Sequence, residues 1–247
     1  SVSVSGLPKG LSYNKSLRAI TGVPTAASTV KKGKPVPTKA KVTLKSAGGT
    51  VKTYALPITV QNLPATVRGT FNGGWSGGRA TFTVAVSGKI SGKLLHDDVA
   101  ETLTANSFAR SYETNATGVA YVSTNAAVKT ASGTRAATVT IVADSATGES
   151  KMTVAVAPAE EGGEELTVEA WKGHAAAAEA RAGEEIAVDE NVTLAVGADG
   201  SVKAVGTWGT YRAVVSTTFV GDGKAFVYFP PNAVRRFAGW FRLVTLE

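Results

Sequence analysis

The sequence predicts an all-β protein, and three observations predict it. Apolar and polar residues alternate with a period of two over many short runs, turn residues separate those runs, and charged residues make up only 18% while Gly numbers 27. A period of two marks a strand with one covered face, because successive side chains point to opposite sides of a sheet. Many such runs at short spacing indicate a sandwich or a barrel. At 247 residues the chain can build one large or two ordinary domains. Two are expected: residues 1–64, then residues 65–247 as a larger antiparallel sandwich or barrel.

The elements follow in order. Thr38, Ala40, Val42 and Leu44 alternate with Lys39, Lys41, Thr43 and Lys45, Ser46-Ala47-Gly48-Gly49 turns the chain, and Tyr54, Leu56, Ile58 and Val60 supply the next inward face. This is a hairpin with one wet, basic side. Pro57 has no amide hydrogen to give to a ladder, so its strand is expected at an edge or a bulge. Alternation stops at Asn62-Leu63-Pro64, which sets the boundary, and a new run starts over Val67 to Phe71. Phe82, Val84 and Val86 then face inward, Ser87-Gly88 turns, and Lys89 to Lys93 returns. Thr193 to Gly206 repeats that hairpin pattern around Asp199-Gly200, and Ser132-Gly133, Thr147-Gly148 and Asp222-Gly223 are further turn sites. Tyr211, Ala213, Val215 and Phe219 are expected to face inward. The Ala-rich stretch Trp171 to Gly183 has helical character, with Gly183 placed as a C-terminal cap. Pro158 to Glu165, with four Glu, is expected as a solvated acidic loop.

Charge is distributed unevenly. Residues 1–96 hold 14 Lys and Arg and no acid, whereas residues 97–247 hold the other 12 bases and all 19 acids, giving +14 against −7. A base-only stretch suits a polyanionic partner, such as an acidic glycan or another anionic surface polymer, or else a solubility face that keeps strand edges unpaired. Nucleic acid is not the expected partner. Lys39, Lys41 and Lys45 share one face of one strand and are the candidate ligand-binding cations. Lys31, Lys32 and Lys34 in the preceding loop extend that patch.

Specific chemistry is sparse. There is no Cys, and only His96 and His174 are available as imidazoles. His96-Asp97-Asp98 are sequence neighbours, which seldom point together in a strand. The acids gather in loop-like segments rather than as the spaced pair that glycoside hydrolysis needs. Glu184, Glu185, Asp189, Glu190 and Asn191 could ligate calcium, yet clustered carboxylates do not define a coordination shell. No catalytic residue, metal site or cofactor is therefore assigned. Trp75, among the glycines 73–78, is the candidate aromatic platform for a pyranose ring, against the reading that it packs over a sheet end. No run approaches the roughly 18 apolar residues of a membrane span. The first residues lack a signal-peptide layout, so if the protein is exported its signal is expected upstream of Ser1.

Two stretches carry family resemblances. Gly6-Leu7-Pro8-Lys9-Gly10-Leu11, followed by Ile20-Thr21-Gly22-Val23-Pro24-Thr25, resembles the signature of the Ig domains (cadherin-like sandwiches) of bacterial surface proteins, over about residues 1–63. Such domains usually have strands ahead of this signature, so the expectation is either that those strands were lost with an upstream region or that the neighbouring domain completes the sheet. Gly69-Thr70-Phe71-Asn72-Gly73, Gly88 to Lys93 and Val227-Tyr228-Phe229-Pro230-Pro231 resemble β-rich modules of long exported proteins in bacteria allied to the Verrucomicrobia. The resemblances imply an extracellular or cell-surface location and further upstream domains on the same polypeptide. The expectation is a noncatalytic structural or adhesive segment, with a glycan-binding module and a hydrolase with an unfamiliar site as alternatives.

Overall fold

The computed structural model describes residues 1–96, 99–106, 108–110, 118–144, 149–172, 185–188, 190–197, 201–220, 224–229 and 237–242. Its regular structure is β apart from one 3₁₀ turn, so the all-β class holds among the described residues. The first stretch contains β1 (Val2–Ser5), β2 (Leu11–Asn14), β3 (Ala19–Gly22), β4 (Val30–Lys31), β5 (Lys34–Pro35), β6 (Thr38–Lys45) and β7 (Val51–Ile58). Strands β1, β6 and β7 form an antiparallel sheet in that order, beside the hairpins β2–β3 and β4–β5. Pro57 lies on the edge strand β7, where its missing amide hydrogen costs no internal ladder bond.

The two halves of the Gly-Pro signature meet through β2 and β3, which pair Leu11 with Gly22. A Cβ on Gly10 would stand 2.2 Å from the Val23 carbonyl oxygen, and one on Gly22 would stand 2.2 Å from that of Gly10. Both residues also have positive φ, at 95° and 107°. Only glycine meets both demands at low cost.

After a 3₁₀ turn (Ala65–Val67), the chain builds β8 (Gly69–Trp75), β9 (Gly78–Val84), β10 (Ile90–His96), β11 (Val99–Ala105), β12 (Ala109–Arg110), β13 (Gly118–Thr130), β14 (Gly133–Asp144), β15 (Ser150–Val156) and β16 (Leu166–Lys172). Every pairing among them is antiparallel. Strand β16 returns to pair with β8, and β11 pairs with β13, so eight strands close into a barrel. Strand β12 is added outside that ring, on the first half of β13. A register shift between Ser123 and Ala126 separates that half from the part that closes the barrel.

The period-two pattern fills the barrel. Phe71, Phe82, Ile90, Leu94, Leu103, Ile141, Met152 and Val154 are fully buried within one cluster. An eight-stranded ring leaves an interior wide enough for side chains to fill. One end is closed by the 3₁₀ turn, where Val67 enters the core, the Ser150 hydroxyl donates to the Thr66 carbonyl (2.7 Å) and the Lys172 ammonium donates to that of Ala65. Burial, with Arg68 adding to it, holds the Lys172 pKa below the ordinary lysine value.

The remaining strands are β17 (Glu185–Ala187), β18 (Val192–Val196), β19 (Ser201–Trp208), β20 (Tyr211–Thr218), β21 (Lys224–Phe229) and β22 (Phe237–Arg242). Strands β17 to β20 form a four-stranded meander, and β21 and β22 pair as a hairpin. Alternate residues of β21 serve two contacts. Ala225, Val227 and Phe229 join a second core with Leu194, Val202 and Phe219, while Phe226 reaches the outer wall of the barrel at Gly74. The hairpin thus lies between the meander and the barrel. Polar bonds reinforce the junction: the Asn72 amide donates to the Thr218 hydroxyl (2.6 Å) and the Arg79 guanidinium to the Ser216 carbonyl (3.3 Å).

Several expectations are corrected. Val86 is exposed, because it occupies the turn that closes β9–β10 (Gly88 amide to Ala85 carbonyl, 2.9 Å) rather than the strand. Tyr54 and Leu56 lie on the predicted face of β7, yet that face is open to solvent. Trp171 and Lys172 end a barrel strand instead of starting a helix, because their ladder partners Lys151 and Phe71 hold them extended. Residues 173–184, Thr147-Gly148, Asp199-Gly200 and Asp222-Gly223 lie outside the described residues. The strands flanking 199–200 do pair as a hairpin, with Val196 opposite Val202.

A Cβ at Gly74 would stand 2.2 Å from the Phe226 ring and 2.3 Å from the Gly78 carbonyl oxygen. Gly74→Ala is therefore expected to destabilise the protein by about 1–3 kcal/mol, the usual cost of overpacking. In urea denaturation, combining it with Phe226→Ala should cost less than the two single changes added together, since the ring is one of the two obstacles.

Candidate functional site

The predicted cations come together as expected from strand geometry. Lys39, Lys41 and Lys45 are all exposed on β6, opposite Pro57, Ala55 and Val51 of β7. At about 3.3 Å per residue the row is roughly 20 Å long. Small polar groups surround it. Ser5 lies opposite Lys41 and Ser3 opposite Thr43, whose hydroxyl is 3.4 Å from that of Thr53. The result is a face of ammonium and hydroxyl groups with Val51, Ala55 and Pro57 beside them. Lys31 and Lys34 pair across the small hairpin β4–β5, whose tip holds Lys32.

Trp75 stands elsewhere and is differently engaged. It ends β8 at the second mouth of the barrel, half-buried and packed against the core. Its ring lies over Gly78, where a Cβ would be 2.5 Å from the indole, and meets His96 edge-on at 6.1 Å. One face of this indole is thus already covered by protein. The same mouth contains a group that sequence reasoning missed. Glu101 is 8% exposed and lies 3.5 Å from Nε2 of His96. That separation exceeds a normal hydrogen bond. Its signal was legible: Glu101, Leu103 and Ala105 share one parity, so the carboxylate follows the inward face.

Other aromatic rings form a staple rather than an open platform. Trp171 meets Trp240 edge-on at 4.7 Å, Trp240 meets Phe226 at 5.1 Å, and the Lys151 and Lys224 ammonium groups lie 4.9 and 5.6 Å from the Trp171 ring centre. Lys151 also pairs with Glu169. Tyr228 and Phe229 are buried, and Trp208 and Phe241 pack on the second core.

A cleft of about 270 Å³ opens where the first stretch meets the barrel, with Phe108, Tyr121, Gln61, Asn62 and Ser87 in its lining. It is smaller than the about 300–1,000 Å³ usual for ligand pockets. Among the described residues, no group of three or more potential ligands is placed to hold a metal ion. Asp97, Asp98, His174, Glu184 and Asp189 lie outside those residues. Among the described residues, no helix is long and apolar enough to cross a membrane.

No family model matches the chain, and comparison with curated proteins and with solved structures finds no match. The lysine face can attract anions, and Trp75 closes the barrel mouth.

Trp75→Ala is accordingly expected to destabilise the protein by about 3 kcal/mol, the lower end for truncating a packed aromatic. The measurement is the urea midpoint followed by circular dichroism. An unchanged midpoint would show that the indole contributes no lid contact.

Proposed function

We propose that the chain is a noncatalytic structural or adhesive segment of a larger bacterial cell-surface or secreted protein. The observation that carries this reading is the filled barrel. Its lumen is occupied by Phe71, Phe82, Leu94, Leu103, Ile141 and Met152, with the 3₁₀ turn at one end and Trp75 at the other. Space of that kind serves rigidity rather than ligand storage. The hairpin β21–β22 supports the same reading, because it joins two apolar cores through a doubly covered strand. Residues 1–64 are read as an Ig-like module that spaces or presents the rest. The paired Gly-Pro signature and the alternating β6–β7 hairpin support that assignment.

A second reading, binding of an anionic glycan or surface polymer, is favoured by the Lys39, Lys41 and Lys45 row with its neighbouring hydroxyls. Adhesion through this face would be electrostatic. Charges at an open surface are screened over about 8 Å at 0.15 M salt, so such binding weakens steeply as salt rises.

Two measurements test these readings. Assayed on a panel of polysaccharides and esters, the protein is expected to show no turnover. Activity that vanished on His96→Ala would replace the structural reading with a hydrolase. On a heparin or lipopolysaccharide column, an adhesive lysine face predicts that Lys39→Ala, Lys41→Ala and Lys45→Ala together lower the eluting salt. If wild type and triple variant leave at the same low salt, the row is a solubility face and the purely structural reading stands.

A further inference from the structure

The sheet β1–β6–β7 has two unlike faces. Opposite the lysine row lie Val2, Val4, Ala40, Val42, Leu44, Tyr54 and Leu56, which the ladder places on one side: Val2 faces Leu44, Val4 faces Val42, Val42 faces Tyr54 and Ala40 faces Leu56. Such alternation is the pattern of a covered sheet face. Cover exists at one end only. Ala40 is fully buried, but Val2, Leu44, Leu56 and Tyr54 remain 37%, 39%, 36% and 52% exposed. Four large side chains of one face are thus left to solvent, beyond the scattered single exposures that need no explanation.

The charge around this patch specifies what covers it. Lys52 lies on the same face, opposite Leu44. Residues 1–60 carry ten Lys and Arg and no acid. A second copy seated symmetrically on the patch would set Lys52, in a stretch without any acid, against its own counterpart, and opposed like charges are costly at an interface. A three-stranded apolar face is best complemented by another sheet, packed about 10 Å away. We propose that the patch Val2, Leu44, Tyr54 and Leu56 docks an amphipathic β-segment of another polypeptide, apolar on its contact face and acidic at its rim. This goes beyond the structural reading above and uses the opposite face from the lysine row.

The test uses the full chain and two synthetic β-hairpin peptides with the same Val and Leu face, one carrying Glu and the other Lys on its rim. Binding is followed by fluorescence anisotropy. The Glu peptide is expected to bind, and the Lys peptide to bind at least about tenfold more weakly, a difference of about 1.4 kcal/mol. Leu44→Thr, Tyr54→Thr and Leu56→Thr together should weaken the Glu peptide at least about tenfold, whereas the Lys39, Lys41 and Lys45 triple Ala variant should leave it within about twofold. Tyr54→Ser, a single change at an exposed site, carries the test if the triple Thr variant fails to fold. The proposal is overturned if the two peptides bind equally or not at all, or if the lysine-row variant loses the Glu peptide. Sedimentation equilibrium showing a dimer that the Thr variant dissolves would also overturn it, in favour of a second copy.

Discussion

Closing eight strands on themselves creates a lumen whose width is set by strand number and tilt, and the interior must then be filled. Closure is demanding where β16 meets β8. A Cβ on Gly73 would stand 2.0 Å from the Glu169 carbonyl oxygen, so the last barrel strand can approach the first only because that position is bare. Once the ring is closed, no sheet edge is left within it. The inward residues then pack as one core, and the two ends become the places where polar groups and aromatic lids are needed. Lys172 and Ser150 tie down the 3₁₀ turn at one end, and Trp75, His96 and Glu101 gather at the other.

The outer wall of the barrel is also a packing surface. Neighbouring glycines on β8 serve opposite sides: Gly73 admits β16, and Gly74 admits Phe226 of the hairpin. The adjacent polar residues are drawn into the same contact. Asn72 accepts from the Thr81 hydroxyl within the barrel (2.9 Å) and donates to Thr218 across the junction. Trp171, which points outward from β16, joins Trp240 and two ammonium groups beside the hairpin. An aromatic that reads as core material from sequence thus serves as a staple between two cores. Functional readings that need a free indole face lose support at these positions, whereas the lysine face is untouched by such contacts.

The first stretch follows different physics. Its sheet has three strands and, among the described residues, no second sheet over most of its apolar face, so alternation there specifies orientation without securing burial. One side is rich in ammonium and hydroxyl groups, the other in exposed Val, Leu and Tyr. A sheet this small gains little from its own core. Local devices therefore matter more: the glycine pair at residues 10 and 22, the edge proline, and bonds such as the Val60 amide to the Ser28 hydroxyl at 2.9 Å.

Many strands and their faces were legible in the residues, because parity is a local property. Lys39, Lys41 and Lys45 had to share a face, Phe82 and Val84 had to share another, and Ser87-Gly88 had to turn between strands. Parity also carries Glu101 inward, although a carboxylate in that position reads at first as surface. What parity cannot specify is which partner covers a face. Tyr54 and Leu56 have the same alternation as Phe82 and Val84, yet the former remain open and the latter are sealed by seven other strands. Trp75 likewise becomes a lid only because β9 and β10 bring Gly78 and His96 beneath it. The sequence alone determined the all-β class, the strand faces and the basic row, since these depend on neighbours a few residues apart. Tertiary structure alone decided barrel against sandwich, the open apolar face and the aromatic staple, since each depends on pairings between residues far apart along the chain.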